Sequence, residues 1–248
     1  MRPFFFAFAA TLAPLAMAPL GAQSLASRVV EHDGSVEVIF PSRPEACGDG
    51  RSFISHVFGN RNDFGDRPCV HGPARVEVTV MDGEVTRLRS FVGPVPPSAN
   101  RTITASAADA GAWLTQVVNG ASARVAQEAV VPLVLVDEFE PWDVLLRVSR
   151  DDARPLAVRR AALNWVGFDV NHHLGLDDAS ADSEDDEMRR QAVFVLSQRA
   201  KRDGTAELID AARTSRHPSV RRDAIFWLSQ VGEPTAVANL YADLLKSR

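Results

Sequence analysis

Side chains able to do chemistry gather in two stretches. In the first, His172 and His173 stand among Asp169, Asp177, Asp178 and Asp182, offering imidazole nitrogens and carboxylate oxygens of the kind that bind divalent ions. Two histidines adjacent on a helix point about 100° apart, so they do not converge on one metal. Residues 167–187 hold eight acidic residues, no basic ones and little apolar periodicity. That composition predicts a solvated acidic loop, and no metal site is assigned to it. In the second stretch Cys47, Cys69 and His71 offer thiolate and imidazole. A zinc site takes four ligands in short paired spacings, and Cys-x-His is a single incomplete pair. The two cysteines are therefore expected to form a disulfide. It would close a Gly- and Asp-rich loop and contribute about 3 kcal/mol by restricting the unfolded chain. Asp49, between Gly48 and Gly50, reads as part of a turn beside that disulfide.

No catalytic constellation emerges elsewhere. The chain has no phosphate-cradling glycine loop, no Gly-x-Ser-x-Gly elbow and no His-Glu-x-x-His helix. No catalytic residue and no cofactor is assigned. An enzyme would need His56, Asp66 and His71 to converge in a pocket where the first half of the chain meets its helices.

The elements that must position these residues begin after a leader. Residues 1–22 carry one early charge, Arg2, then an apolar run interrupted by Pro14 and Pro19, and end in Leu20-Gly21-Ala22. This pattern predicts a secretory signal cut after Ala22, a periplasmic or secreted address and no membrane span once it is removed. Export also suits the disulfide, because two cysteines in an oxidising compartment leave no spare thiol. With 46% hydrophobic and 24% charged residues, the rest can bury a globular core. A formal charge of −5 argues against a nucleic-acid partner.

Residues 23–95 read as a small β-rich domain. Segments 35–40 and 53–58 are strand candidates, and 74–92 is a hairpin. There Val76, Val78 and Val80 alternate with polar residues and Asp82-Gly83 supplies the turn. Residues 96–104, opening Pro96-Pro97-Ser98, form a stiff linker. From 105 onward the period becomes helical. Ser106 is placed to cap a first helix holding Ala110, Trp113, Leu114 and Val117, and a second helix covers 121–136 with Pro132 inside it.

The later helices repeat. Val158-Arg159-Arg160, Met188-Arg189-Arg190 and Val220-Arg221-Arg222 open three superposable segments whose starts lie 30 and 32 residues apart. In each, apolar residues fall at i, i+4, i+7 and i+8: Val158, Ala162, Trp165, Val166; Met188, Ala192, Val195, Leu196; Val220, Ala224, Trp227, Leu228. These spacings make one buried stripe per helix, and a period near 30 is that of a helical solenoid. Trp113, Trp142, Trp165 and Trp227 are all expected in the core. Phe194 and Phe226 share position i+6, just off the stripe, where Asn164 stands in the first unit.

In these residues the chain resembles the HEAT-repeat family, including the short HEAT-like units of phycobilin-lyase-type proteins and exported bacterial HEAT-repeat proteins. The likeness rests on the Val-Arg opening, the following Ala and the Leu-rich tail. The shorter helices expected at 142–149 and 206–212 and the linker Arg216-His217-Pro218 add to it. It covers about 105–248, and a last helix at 235–245 would cap the stack. The resemblance implies an α-helical HEAT-like solenoid, and with the disulfide-bonded β-rich domain read above the expected fold class is α+β. It implies structural roles for Arg159, Arg189 and Arg221. Arg160, Arg190, Arg222, Phe194 and Phe226 are left as candidates to meet a protein partner. The expected function is a non-catalytic interaction or scaffold module in the cell envelope. The alternative is a HEAT-like lyase or other small-molecule-handling enzyme.

Overall fold

The computed structural model describes residues 23–51, 69–166, 186–203, 205–231 and 238. The leader 1–22, the strand candidate at 53–58, residues 167–185 of the acidic stretch with His172 and His173, and the capping helix expected at 235–245, apart from residue 238, lie outside the described residues. At the front, a short helix α1 (Leu25–Val29) precedes β1 (Gly34–Phe40), β2 (Ala74–Met81), β3 (Glu84–Val92) and β4 (Arg101–Thr104). These strands form a mixed four-stranded sheet in the order β3-β2-β1-β4.

The hairpin is β2–β3. Asp82 and Gly83 take φ of 53° and 73°, the paired positive values that match a two-residue turn to the twist of its strands. Val76, Val78 and Val80 are buried, and Val36 and Val38 lie opposite Val78 and Val76 on the neighbouring strand. One sheet face is thereby apolar. β4 corrects the expected extent of the linker. Arg101–Thr104 pair in parallel with β1, from Val36↔Arg101 to Ile39↔Thr104, and Ile103 is buried. Four residues are too few to show a period, so the strand is set by the open edge of β1 and not by its own pattern.

The polar face of the sheet is covered at one end, around Glu37 and Arg75, while Ser35, Arg87 and Arg89 on the same face are exposed. Glu37 and Arg75 are buried and paired at 3.3 Å. Glu37 Oε1 also accepts from Ser98 Oγ at 2.6 Å and Asn100 Nδ2 at 3.2 Å. Arg75 donates to Glu77 at 2.7 Å and to the Gly50 carbonyl at 3.0 Å, and its guanidinium lies 4.4 Å from the Phe91 ring centroid. Among the described residues, the covering groups come from Ser98 and Asn100 after the Pro-rich connector and from Gly50, just past Cys47 of the Cys47–Cys69 disulfide. Gly50, at φ 73°, packs so closely on Pro94 that a Cβ there would overlap the proline carbonyl. Only glycine fits both the conformation and the space.

The helices are α2 (Ala107–Gly120), α3 (Ala123–Leu135), α4 (Trp142–Arg150), α5 (Leu156–Val166), α6 (Asp186–Asp203), α7 (Ala206–Thr214) and α8 (Pro218–Val231). Ser106 caps α2 as expected, its side chain accepting from the Asp109 N–H at 3.1 Å. Pro132 stays inside α3. That helix lies on β2 and β3, and its Glu128 accepts the N–H of Leu88, at 2.8 Å, from the edge strand β3. A sheet edge is blunted in this way. On the far side α3 packs on α5, α5 packs on α4 and α6, and α6 packs on α7 and α8. One hydrophobic cluster runs from Leu25 through the sheet to Leu228, so the β-rich part and the helices share a core.

Candidate functional site: a groove on the repeat ridge

The second helices α5, α6 and α8 carry the repeated segments, and their stripes are buried. Val158, Ala162, Val166, Met188, Ala192, Val195, Leu196, Val220, Ala224 and Leu228 are all in the core. Trp113 and Trp142 are buried too, whereas Trp165 and Trp227 are only half-buried. Position i+7 is thus fully enclosed where it holds Val195 and only partly covered where it holds the larger tryptophan. A tryptophan there packs one edge on the core and shows the other.

The two arginines of each opening part company because successive helical residues point about 100° apart. The first turns inward. Arg159 is 6% exposed; its Nε donates to the Ser149 carbonyl at the end of α4 at 3.3 Å, and Nη2 lies 2.6 Å from Asp152 Oδ1. Arg221 Nη1 donates at 2.6 Å to the Ser215 carbonyl just past α7. The last carbonyls of a helix have no partner within it and form its negative end, so a cation there both satisfies and stabilises them. Arg189, also buried, pairs with Asp186. The Arg189 hydrogen bond first, then its charge, holds the Asp186 carboxyl below the ordinary aspartate range. Burial opposes these two effects, and the charges of Arg190 and His217 add lesser lowering contributions.

The second arginine turns outward. Arg160 Nη1 lies 3.6 Å from Glu187 Oε2, and Arg190 Nη1 lies 3.2 Å from Glu187 Oε1, so side chains from α5 and α6 meet on one carboxylate. Beside them Phe194 contacts Trp227 edge-on with centroids 5.6 Å apart, and Phe226 contacts the same indole at 5.3 Å. Phe226 is 56% exposed. These groups line a groove of about 410 Å³ across α5, α6 and α8. Of the five candidate partner-binding residues, Arg160, Arg190, Phe194 and Phe226 line it together. Arg222 does not. Its Nε and Nη2 both lie 3.0 Å from Asp223 Oδ1, its own neighbour on α8. Trp227, Glu187, Gln191 and Asp223 also line the groove and were not among the candidates. Trp227 was hidden by its place in the stripe. Glu187 was hidden inside an acidic run with nothing to single it out.

Other candidates are dispersed. His71 Nδ1 lies 3.1 Å from the Ala46 carbonyl, in a shallow recess beside Arg43 and Pro73. A separate cavity of about 630 Å³ sits where α1, β3 and α2 meet, with Val30, Val85, Trp113 and Val117 on its walls. Glu84 is the one acidic residue on its wall, and no histidine lies there. His56, Asp66, Asp169, Asp177, Asp178 and Asp182 fall outside the described residues. Among the described residues no three His, Cys, Asp or Glu side chains are grouped to hold a metal ion, and no helix is long and apolar enough to cross a membrane.

The arginine pairs recur at steps of 30 and 32 residues, at the same place on α5, α6 and α8. Residues 176–247 match the family model for HEAT repeats. The match takes in α6, α7 and α8 and therefore most of the groove. HEAT repeats in general mediate protein–protein interaction, the stacked helices burying one face and offering the other. The match does not extend to α2–α5; of these, α5 packs on α6 and carries the same arginine pair. No curated protein and no solved structure matches the chain.

Proposed function

We propose that this chain is an exported, non-catalytic interaction module of the cell envelope, and that it holds a protein partner on the ridge formed by α5, α6 and α8. The observation that carries the reading is the groove itself. On helices whose apolar stripes are otherwise buried inside, an exposed phenylalanine, a half-buried tryptophan and two arginines gather on the outer face. Aromatic residues and arginine are the side chains that most often carry binding energy at protein interfaces. Export is supported by the apolar leader ending in Leu20-Gly21-Ala22 and by the Cys47–Cys69 disulfide, which persists in an oxidising compartment.

The test is a pull-down from an envelope extract with the mature chain, beside the variant carrying Arg160→Glu, Arg190→Glu and Arg222→Glu. A stoichiometric partner retained by the first and lost by the second is the expected result. The same proteins on both, or none on either, overturns the ridge as the binding surface. Amino-terminal sequencing of the chain from the envelope fraction checks export separately, with Gln23 as the expected first residue.

A further inference from the structure

We infer that the ridge groove takes an extended acidic–apolar segment of its partner: an Asp or Glu side chain between Arg160 and Arg190, and an apolar side chain on the shelf of Phe194, Trp227 and Phe226. The inference rests on the ridge being the interaction surface and adds what that surface selects.

Charge decides the first half. Arg160 and Arg190 are 46% and 58% exposed, and among the described residues Glu187 is the one acidic side chain either meets. Two guanidinium groups against one carboxylate leave an excess positive charge at that end. Each contact to Glu187 runs through a single Nη1, at 3.6 and 3.2 Å, whereas a guanidinium presents five donors in a planar fork matched to a carboxylate. A second carboxylate between the two side chains balances the charge and uses the remaining donors. The opposite end has no such excess, because Asp223 is answered by Arg222 from within α8 at 3.0 Å. A basic segment would meet both arginines with like charge, and such juxtaposition excludes wrong partners.

Shape decides the second half. Phe194 and Phe226 both pack T-shaped against Trp227, at interplanar angles of 65° and 75°, and all three rings line the groove, Phe226 being 56% exposed. A volume of about 410 Å³ suits side chains rather than a whole folded surface. The three contributing helices are stacked, which lays the charged and apolar ends along the stack, where an extended segment can reach both.

The experiment pans a random dodecapeptide phage library on the full mature chain. The peptides are displayed with their C-termini fused, so a terminal carboxylate is not offered. Selected peptides are then synthesised, and their binding is measured by fluorescence anisotropy. The proposal expects clones enriched in Asp or Glu a few residues from Leu, Phe or Trp. Affinity should fall about tenfold or more for the Arg160→Ala/Arg190→Ala double variant and for Phe226→Ala. Exchanging the peptide's Glu for Gln should produce the same loss. Because these side chains are exposed, thermal melting of the variants should match the wild type, which separates binding from folding. Ridge-dependent clones without acidic enrichment, or acidic clones indifferent to the two arginines, overturn this inference and leave the ridge reading standing. An absence of clones that depend on the arginines or on Phe226 overturns both.

Discussion

Arg159 and Arg160 are neighbours in sequence with opposite fates, and replacing each by alanine separates packing from display. In Arg159→Ala a buried guanidinium is lost from the end of α4, where its Nε met the Ser149 carbonyl at 3.3 Å. A hydrogen bond from a charged donor contributes roughly 1.5–3 kcal/mol. Its buried methylene stem adds about 1 kcal/mol of packing even if only part of it is well enclosed. Asp152, also released, is 85% exposed and simply rehydrates, so that ion pair adds little. The expected loss is about 2–4 kcal/mol, which at this chain length lowers Tm by roughly 5–15 °C. Arg160→Ala, by contrast, removes an exposed side chain 3.6 Å from Glu187 and should change stability by less than about 0.5 kcal/mol. Urea unfolding followed by circular dichroism measures both, with the m-value checking that the unfolded state is unchanged. Equal effects of the two substitutions, or an Arg159→Ala variant as stable as the wild type, would refute the division of the arginine pairs into inward and outward members.

Three further outcomes follow from the same geometry. Replacing Cys47 and Cys69 by serine, or reducing the wild type, should cost about 3 kcal/mol, read as a lower urea midpoint; identical midpoints for the oxidised and reduced chain contradict this. The Asp186 carboxyl, held low by Arg189, should titrate below the ordinary aspartate value of about 3.9 when followed by carbon NMR. Since its folded value lies below its unfolded one, its contribution to stability is present above about pH 4 and is lost as the pH falls through the folded value. Arg189→Ala should move the midpoint up, and a wild-type midpoint at or above the ordinary value excludes the pairing. Ala192→Leu should destabilise by about 1–3 kcal/mol, because Ala192 is fully buried on α6 between neighbouring helices; a neutral result on differential scanning would show that the stack has slack there.

The sequence makes legible whatever depends on local period. The hairpin shows because alternation over β2 meets an Asp-Gly pair, and the α5, α6 and α8 stripes show because the same apolar spacings recur. What depends on the covering chain is not legible. Glu37 and Arg75 read as the solvated face of a strand, yet both are buried under groups from Ser98, Asn100 and Gly50. β4 exists because β1 had an edge to fill. At the groove, four of the five candidates come together since their helix positions are equivalent. Arg222 is drawn aside by an aspartate that Arg160 and Arg190 lack at the following position. Trp227 was read as core by its spacing alone, and spacing does not say how far a neighbouring helix covers a stripe.

The sheet has a physical part in displaying that groove. A stack of helix pairs ends on an apolar face that must be covered, and repeat proteins usually cover it with an atypical terminal unit. Here α5 turns one side to α6 and the other to α3, and α3 in turn rests on β2 and β3 with Ala126, Ala129, Val130 and Leu133 buried. The β-rich part thus caps the helical layer at α3 and shares one hydrophobic core with it. Arg43 strengthens that junction by donating at 2.7 Å to the Val134 carbonyl near the end of α3. The disulfide and the buried Glu37–Arg75 pair then stiffen the layer behind the cap, on the face turned away from the helices. Their burial makes sense as structural support. On the binding mode proposed above, a ridge built on this shared core is already ordered before the segment arrives, which reduces the ordering cost on the protein's side.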